Sequence, residues 1–204
     1  MLPIAIRTTL GAFDSFDRLD KFFQEQELES NTLDENGIID DDPTLRIAIE
    51  NADFVYGDNV KPTLRFLNMR VKQGQLLAIV GDVGAGKSSI LAAIMGQIHR
   101  SAGTRRINGS IAYVPHDSWL LNTTLRDNIL FGKPYNAKKY EEALYVCALN
   151  KDLQLLREGD LTEIGDRGAN LSLGQRLRVS LARAVYCNAD IILLDDPLRY
   201  IITD

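Results

Sequence analysis

Cysteine, tryptophan and long apolar runs are scarce in this sequence of 204 residues, which contains two cysteines and one tryptophan. Cys147 and Cys187 both fall in apolar segments of helical pattern, so we predict that they are buried free thiols in a reducing compartment. No stretch approaches the roughly 18 uninterrupted apolar residues of a membrane-spanning helix. The first residues also lack the basic leader of a signal peptide. These absences favour a soluble, cytosolic chain.

Basic residues are scarce at the start of the chain. Residues 1–60 hold 14 acidic and 4 basic residues, whereas residues 61–204 hold 14 acidic and 19 basic ones. The net charge of −5 argues against general nucleic-acid binding, because such binding depends on neutralising many phosphates. The longer, basic part of the chain could still accept an anionic ligand.

The N-terminal part divides into two segments ahead of the main domain. Residues 1–24 contain an amphipathic helix, because apolar side chains recur at helical spacing while acidic and basic side chains occupy its other face. Residues 25–45 are acidic and almost free of bases, which is typical of a solvated linker. Residues 46–204 then form the third unit. The apolar residues of the helix are Phe13, Phe16, Leu19, Phe22 and Phe23.

The third unit has the pattern of an α/β domain. Alternating apolar residues predict antiparallel strands at 45–54 and 64–71, joined by a turn at 57–59. The continuous apolar run Leu76–Val80 predicts a strand buried on both faces of a mostly parallel sheet. Further strands are predicted at 110–114 and 191–194, and helices at 87–98, 123–131, 137–149 and 174–187. The fold class is therefore α/β, with an antiparallel β flank and an inserted helical subdomain across about 120–175.

The segment from Gly81 to Ser88 fits the pattern G-x-x-x-x-G-K-[ST] of a Walker A phosphate-binding loop. Gly84 and Gly86 let the backbone curl so that several N–H groups face phosphate oxygens, and the following helix adds its partial positive charge. Lys87 would contact the β- and γ-phosphates, and the hydroxyl of Ser88 would bind Mg²⁺. A glycine-rich turn with a chance Lys-Ser pair is the alternative. The predicted strand before it and helix after it favour the phosphate site.

Two further segments fit the same chemistry. The apolar strand at 191–194 ends in Asp195, which would place a carboxylate beside the loop, where it could hold Mg²⁺ through water. Ser172, Gly174 and Gln175 precede or open a helix, and a helix N-terminus can bind an anion. Taken alone, Ser172 could equally be a capping residue with no ligand.

Together these motifs resemble the nucleotide-binding domain of an ABC transporter, and in detail the first such domain of the multidrug-resistance-associated (C) subfamily of exporters. The resemblance covers about residues 46–198. The stretch DSFDRLDKFFQEQEL also resembles the helix that leaves the membrane domain ahead of that nucleotide-binding domain. The motifs that carry the resemblance are GDVGAGKSS, SIAYVPHDSW, NTTLRDNILFG, GANLSLGQRLRVSLARAVY and IILLDDPL.

The resemblance implies a P-loop NTPase that binds and hydrolyses ATP with Mg²⁺. Tyr56 falls where the family places the aromatic residue that stacks on adenine, although an exposed strand aromatic is the alternative. Ser172, Gly174 and Gln175 match the signature sequence, which contacts ATP held mainly by a second nucleotide-binding domain. Transmembrane domains would be the other partners, and the location would be the cytoplasmic face of a membrane. The loop residues that match the family are Gly81, Asp82, Val83, Gly84, Ala85, Gly86, Lys87, Ser88 and Ser89.

Four departures from the family pattern concern catalysis. Lys87 and Asp195 match catalytic positions, but His116 replaces a glutamine that contacts Mg²⁺, and imidazole is a poor ligand for that ion. Asp196 replaces the catalytic glutamate, and its carboxylate lies roughly an ångström farther back, because aspartate is one methylene shorter. Leu173 adds bulk in place of a signature glycine. The sequence also stops at Asp204 without the switch histidine expected after Asp195.

Four functions remain as alternatives at this point. The first is the ATPase domain of an exporter, and the second is an ATP-binding, dimerising regulatory module with little or no hydrolysis. A kinase or GTPase is disfavoured by the signature segment and Tyr56, which have no role there. A soluble ABC protein of DNA repair or translation is disfavoured by the N-terminal helix. We expect the isolated chain to bind ATP and to hydrolyse it poorly.

Overall fold

The computed structural model describes residues 2–24, 42–57, 61–165, 168 and 170–197, with side chains from residue 11 onward. The predicted linker at 25–45 lies almost wholly outside these residues, as does most of the turn at 57–59. The helices are α1 (Leu2–Gln24), α2 (Lys87–Met95), α3 (Leu125–Leu130), α4 (Ala137–Val146), α5 (Asn150–Leu155) and α6 (Leu173–Cys187). The strands are β1 (Leu45–Val55), β2 (Leu64–Lys72), β3 (His99–Ile107), β4 (Ile111–Val114) and β5 (Ile191–Leu194).

Three strands form an antiparallel sheet in the order β2-β1-β3. Alternate side chains of β1 point into a core, in which Ile49 and Phe54 are fully buried. Helix α2 packs on this face and contributes Leu91 and Ile94 to the same cluster. The predicted antiparallel flank is confirmed. β3 was not predicted, because its polar residues (HRSAGTRRI) show no apolar alternation and its strand conformation comes from pairing with β1.

Strands β4 and β5 form a parallel pair with Ile111 opposite Ile191 and Val114 opposite Leu194. Both strands were predicted. Their starting ends are joined by side chains: the backbone N–H and hydroxyl of Ser110 each donate to Asp190 Oδ2 over 2.8 Å. The parallel register places the carboxyl ends of both strands side by side, which determines where the loops after them meet.

The predicted strand at Leu76–Val80 is wrong. This segment has no strand conformation, and Leu76 and Val80 are 96% and 90% exposed. An apolar run indicates that burial would be favourable, but a strand also needs hydrogen-bonding neighbours on its edges. Among the described strands, β5 is bonded only to β4, and the run 76–80 has joined neither sheet.

The helical subdomain is built from α3, α4, α5 and α6 around one core. Thr124 caps α3 by accepting from the Asp127 N–H, and Asn136 caps α4 by accepting from the Lys139 N–H. The predicted helix at 137–149 ends at Val146, and α5 follows it separately. Likewise the helix predicted at 87–98 ends at Met95, since Gly96 adopts a left-handed conformation at its C-cap. The fully or nearly fully buried members of the core include Leu125, Ile129, Tyr140, Leu149, Ile164 and Val179.

Helix α1 begins well before the amphipathic stretch predicted for it. The five apolar side chains predicted for its apolar face, from Phe13 to Phe23, are all exposed, from 52% at Leu19 to 78% at Phe23. Cys147 and Cys187 are free thiols as predicted; Cys147 is buried and Cys187 half-buried. Burial raises the pKa of the Cys147 thiol to about 11. None of the helices in the described part of the chain is both long and apolar enough to cross a membrane.

Candidate nucleotide-binding site

The phosphate loop is a tight turn between residue 81 and the start of α2. The Ala85 N–H donates to the Asp82 carbonyl over 3.2 Å, and the intervening Val83 points fully into solvent. Gly84 and Gly86 have φ angles of 82° and 91°. Because side chains disfavour these angles, glycine at these two positions is what allows the loop to curl. The helix that the motif required after the loop is present, whereas the strand before it is not.

The first turn of α2 offers backbone N–H donors that have no acceptor within the helix. Gly86 is its N-cap and supplies no side-chain hydrogen bond. The first backbone bond of the helix runs from the Ile90 N–H to the Gly86 carbonyl over 3.0 Å. The N–H groups at the start of a helix have no acceptor within it, and together with the helix dipole they favour an anion.

Lys87 folds back over the loop. Its ammonium group donates to the carbonyl oxygens of Gly81 and Asp82 over 2.9 and 2.8 Å. A lysine ammonium has three N–H donors, so one remains for a further acceptor. The two bonds hold a full positive charge at the mouth of the loop, where phosphate oxygens would approach.

The side-chain oxygens of Ser88 and Asp195 meet beside the loop. Ser88 Oγ donates to Asp195 Oδ1 over 3.1 Å, and Tyr113 OH donates to Asp195 Oδ2 over 3.4 Å. Burial raises the pKa of Tyr113 above its ordinary value, and the Asp195 charge adds to the effect. Hydroxyl and carboxylate oxygens are the ligands that Mg²⁺ prefers, so this pair fits the ion. No cluster of three or more His, Cys, Asp or Glu side chains suited to a metal occurs within the described ranges.

Tyr56 lies just past the end of β1, at the edge of the same site. Its hydroxyl donates to Ser89 Oγ over 3.4 Å, which links the antiparallel sheet to the first turn of α2. The ring is partly exposed. The structure therefore brings Tyr56, Lys87, Ser88 and Asp195 into one neighbourhood.

His116 and Asp196 face each other across the ends of β4 and β5. His116 Nδ1 lies 3.7 Å from Asp196 Oδ2. Asp196 has a φ angle of +52°, a left-handed conformation that is uncommon for a residue with a side chain. The two residues that depart from the family pattern here, His116 and Asp196, are thus in contact with each other.

The signature residues belong to the helical subdomain. Ser172 Oγ accepts from the Gln175 N–H over 3.2 Å, and Gln175 Oε1 accepts from the Ser172 N–H over 2.9 Å, which is a capping box. The capping role given as an alternative for Ser172 is therefore present. Gly174 lies in the first turn, and the Leu173 side chain is 50% exposed.

Two residues that contact the candidate groups were missed in the sequence. Tyr113 bonds Asp195. This contact could have been predicted from a parallel pairing of β4 with β5, which sets Tyr113 opposite Leu193, close to Asp195. Asp152 accepts a bond from Gln175 Nε2 over 3.2 Å and belongs to no motif.

The comparison with protein-family models decides the family. The model for "ABC transporter" matches residues 64–199, more than half of the chain and including the loop, the signature and Asp195. The chain belongs to the ABC transporter family. The predicted P-loop NTPase fold class is confirmed at this level, and with it ATP binding and ABC-type ATPase chemistry as properties of the family.

This ABC transporter domain is similar to members of the C subfamily over nearly its whole length. It is 46% identical over 198 residues to ATP-binding cassette sub-family C member 3 of Mus musculus and equally to the Homo sapiens protein, in each case covering 97% of this chain. It is 43% identical over the same length to ABC transporter C family member 8 of Dictyostelium discoideum. The predicted resemblance to the C subfamily is confirmed. The chain spans only 12–13% of the length of these relatives.

Proposed function

We propose that this chain is a nucleotide-binding domain that holds MgATP at residues 81–89 and serves an exporter of the C-subfamily type. The observation that carries the proposal is the convergence at the start of α2. There the helix N-terminus, which has no side-chain cap, the Lys87 ammonium and the Ser88–Asp195 pair lie together. Each supplies one thing that a nucleoside triphosphate needs: backbone donors, positive charge and ligands for its metal.

The contacts of these residues support the following roles. The backbone of Gly81, Asp82, Val83, Gly84, Ala85 and Gly86 would wrap the phosphates. Lys87 would turn its remaining N–H toward a β- or γ-phosphate oxygen. Ser88 and Asp195 would hold Mg²⁺, which neutralises charge on those phosphates when bound. Tyr56, fixed through its hydroxyl to Ser89, would offer its ring to the adenine.

The remaining assignments concern partners. We propose that Ser172, Gly174 and Gln175 contact ATP held mainly by a second nucleotide-binding domain. The exposed apolar face of α1 would pack on transmembrane domains, which would place residues 46–204 at the cytoplasmic side of a membrane. Residues 1–24 would then be the exit helix of the membrane domain and 25–45 its tether. Transport of a substrate by the whole assembly is part of the same proposal.

A second candidate is an ATP-binding, dimerising regulatory module with little hydrolysis. The observation that favours it is the His116–Asp196 contact. A carboxylate that is one methylene short and faces an imidazole is poorly placed to orient an attacking water. His116 would not serve as a Mg²⁺ ligand, because nitrogen suits that ion badly.

Calorimetric titration of MgATP into the purified chain tests the proposal. The wild type should bind, and Lys87→Ala should bind roughly ten- to a hundred-fold more weakly, because a charge-assisted contact is lost. Lys133→Ala is the matched control, since its ammonium also donates to a backbone carbonyl, that of Cys187. Equal affinities in all three proteins would refute the assignment of the site.

A further inference from the structure

Asp152 is a buried carboxylate that the proposed nucleotide chemistry does not use. It lies in α5 and is 8% exposed. Burying a carboxylate is costly unless it is paired and fully hydrogen-bonded. Asp152 is both paired and hydrogen-bonded, and the side chains that donate to it belong to α6.

Arg178 neutralises the charge of Asp152. Arg178 Nε and Nη2 donate to Oδ2 and Oδ1 over 2.8 and 3.0 Å, a two-pronged contact in which both side chains are mostly buried. Such a pair fixes direction as well as charge. The negative charge of Asp152 therefore does not oppose an anion at the nearby start of α6.

The second partner of Asp152 is Gln175, whose side chain also bonds the backbone of Ser172. Gln175 Nε2 donates to Asp152 Oδ1 over 3.2 Å, while its Oε1 accepts from the Ser172 N–H. Both ends of the amide group are thus used, and the side chain has one orientation. Asp152 sits at the base of a chain of hydrogen bonds that ends at the helix cap.

This arrangement leaves the Ser172 hydroxyl with its proton free to donate. The oxygen already accepts from the Gln175 N–H, so in that bond it acts as acceptor only. A hydroxyl has one proton, which can then be given to a phosphate oxygen in front of the helix. The N-terminus of α6, fifteen residues long, adds its dipole in the same direction.

We propose that Asp152 is a positioning residue of the signature: through Gln175 it holds Ser172 and the start of α6 in the geometry that meets a γ-phosphate from the opposite domain. This inference rests on the proposed function. It assigns the role to the Asp152–Gln175–Ser172 chain and not to the capping box alone. The capping box would then lose its fixed orientation when Asp152 is removed.

Nuclear magnetic resonance of the ¹⁵N-labelled chain tests this without nucleotide, so its failure is distinguishable from a failure of ATP binding. In Asp152→Asn we expect the Gln175 side-chain amide signals to shift. We also expect the backbone N–H of Ser172 and Gln175 to exchange with solvent roughly tenfold faster, because one charged acceptor is lost. Asp160→Asn is the matched control. It breaks an equivalent bidentate pair in the same subdomain, at 2.7 and 3.1 Å, whose partner Arg126 belongs to α3.

Two results would overturn the proposal. One is unchanged Gln175 side-chain signals and Ser172 exchange in Asp152→Asn; the other is the same change in Asp160→Asn, which would mean general loosening of the subdomain. If Asp152→Asn does not fold, Gln175→Glu breaks the chain one step later: it keeps an oxygen for the Ser172 N–H, and so the capping box, but has no N–H to donate to Asp152. In that variant Ser172 exchange should again rise about tenfold, and unchanged exchange would refute the role of the chain.

Discussion

Ser88 and Asp195, 107 positions apart in the sequence, are joined by a hydrogen bond of 3.1 Å from the serine hydroxyl to the aspartate carboxylate. One belongs to the first turn of α2 and the other follows β5, so the bond closes the loop motif against the parallel strand pair. The contact places a neutral oxygen and an anionic oxygen at the same point, and both are of the kind that binds Mg²⁺. If Mg²⁺ binds between these two oxygens, removing either one should weaken the effect of Mg²⁺ on the affinity for ATP.

Ser88→Ala should reduce the dependence of ATP affinity on Mg²⁺. We expect the ratio of affinities with Mg²⁺ and with a chelator to fall by roughly tenfold, since one ligand to a charged group is lost. Calorimetry under both conditions gives the ratio. Ser101→Ala, which removes a hydroxyl from β3 that bonds the Asp53 carbonyl, is the control and should leave it unchanged. An unaltered ratio in Ser88→Ala would remove Ser88 from the metal site.

The isolated chain should bind ATP but release phosphate slowly. Its Asp196 carboxylate is turned toward His116, and the signature that would close over the γ-phosphate has to come from another domain. The electrostatic preorganisation behind most of the rate is therefore incomplete. Steady-state phosphate release, with Lys87→Ala as the blank, measures this. Turnover of about 1 s⁻¹ or more, within the usual range of enzymes, would contradict the expectation.

Acid should weaken the junction between β4 and β5. Hydrogen bonds from the Ser110 backbone and hydroxyl hold the pKa of Asp190 below its ordinary value, with a further contribution from Arg46. Because the folded state favours the ionised form, its stabilising contribution is full above the ordinary carboxyl pKa of about 3.9. It is lost as the pH falls through the lowered folded value.

Asp190→Asn should accordingly lower the urea midpoint at pH 7, and its deficit against the wild type should shrink below about pH 4. Glu142→Gln provides the control, because Glu142 is an exposed carboxylate on α4. A deficit of the same size at both pH values would show that the charge of Asp190 does not stabilise the junction.

Local chemistry explains why much of the site could be predicted from the sequence. Gly84 and Gly86 predict a left-handed backbone, and Ser172 with Gln175 predicts the start of a helix. Both effects depend only on residues a few positions apart in the sequence. Strand β5 and the Asp195 that follows it were predictable because a short continuous apolar run ends at an acidic residue. These features depend little on the rest of the chain.

The features that were predicted wrongly or missed depend on contacts between segments that are distant in the sequence. Leu76–Val80 has the composition of a buried strand, but composition does not determine which edge a strand will join. Strand β3 shows the opposite case. Its residues are mostly polar, and they form a strand because they pair with the free edge of β1. Tyr113 and Asp152 acquire their partners only when β4 meets β5 and α5 meets α6. No spacing rule in the sequence relates those positions.

The most direct test of the central claim maps the nucleotide onto the chain. MgATP is titrated into the ¹⁵N-labelled protein, and the change in each backbone amide signal is recorded. We predict the largest changes at residues 81–89, with Gly84 and Gly86 foremost, and a further change at Tyr56, because their N–H groups and ring would contact the ligand. Binding that leaves the signals of 81–89 unmoved, or that shifts only residues elsewhere, would contradict the assignment of this loop as the phosphate site.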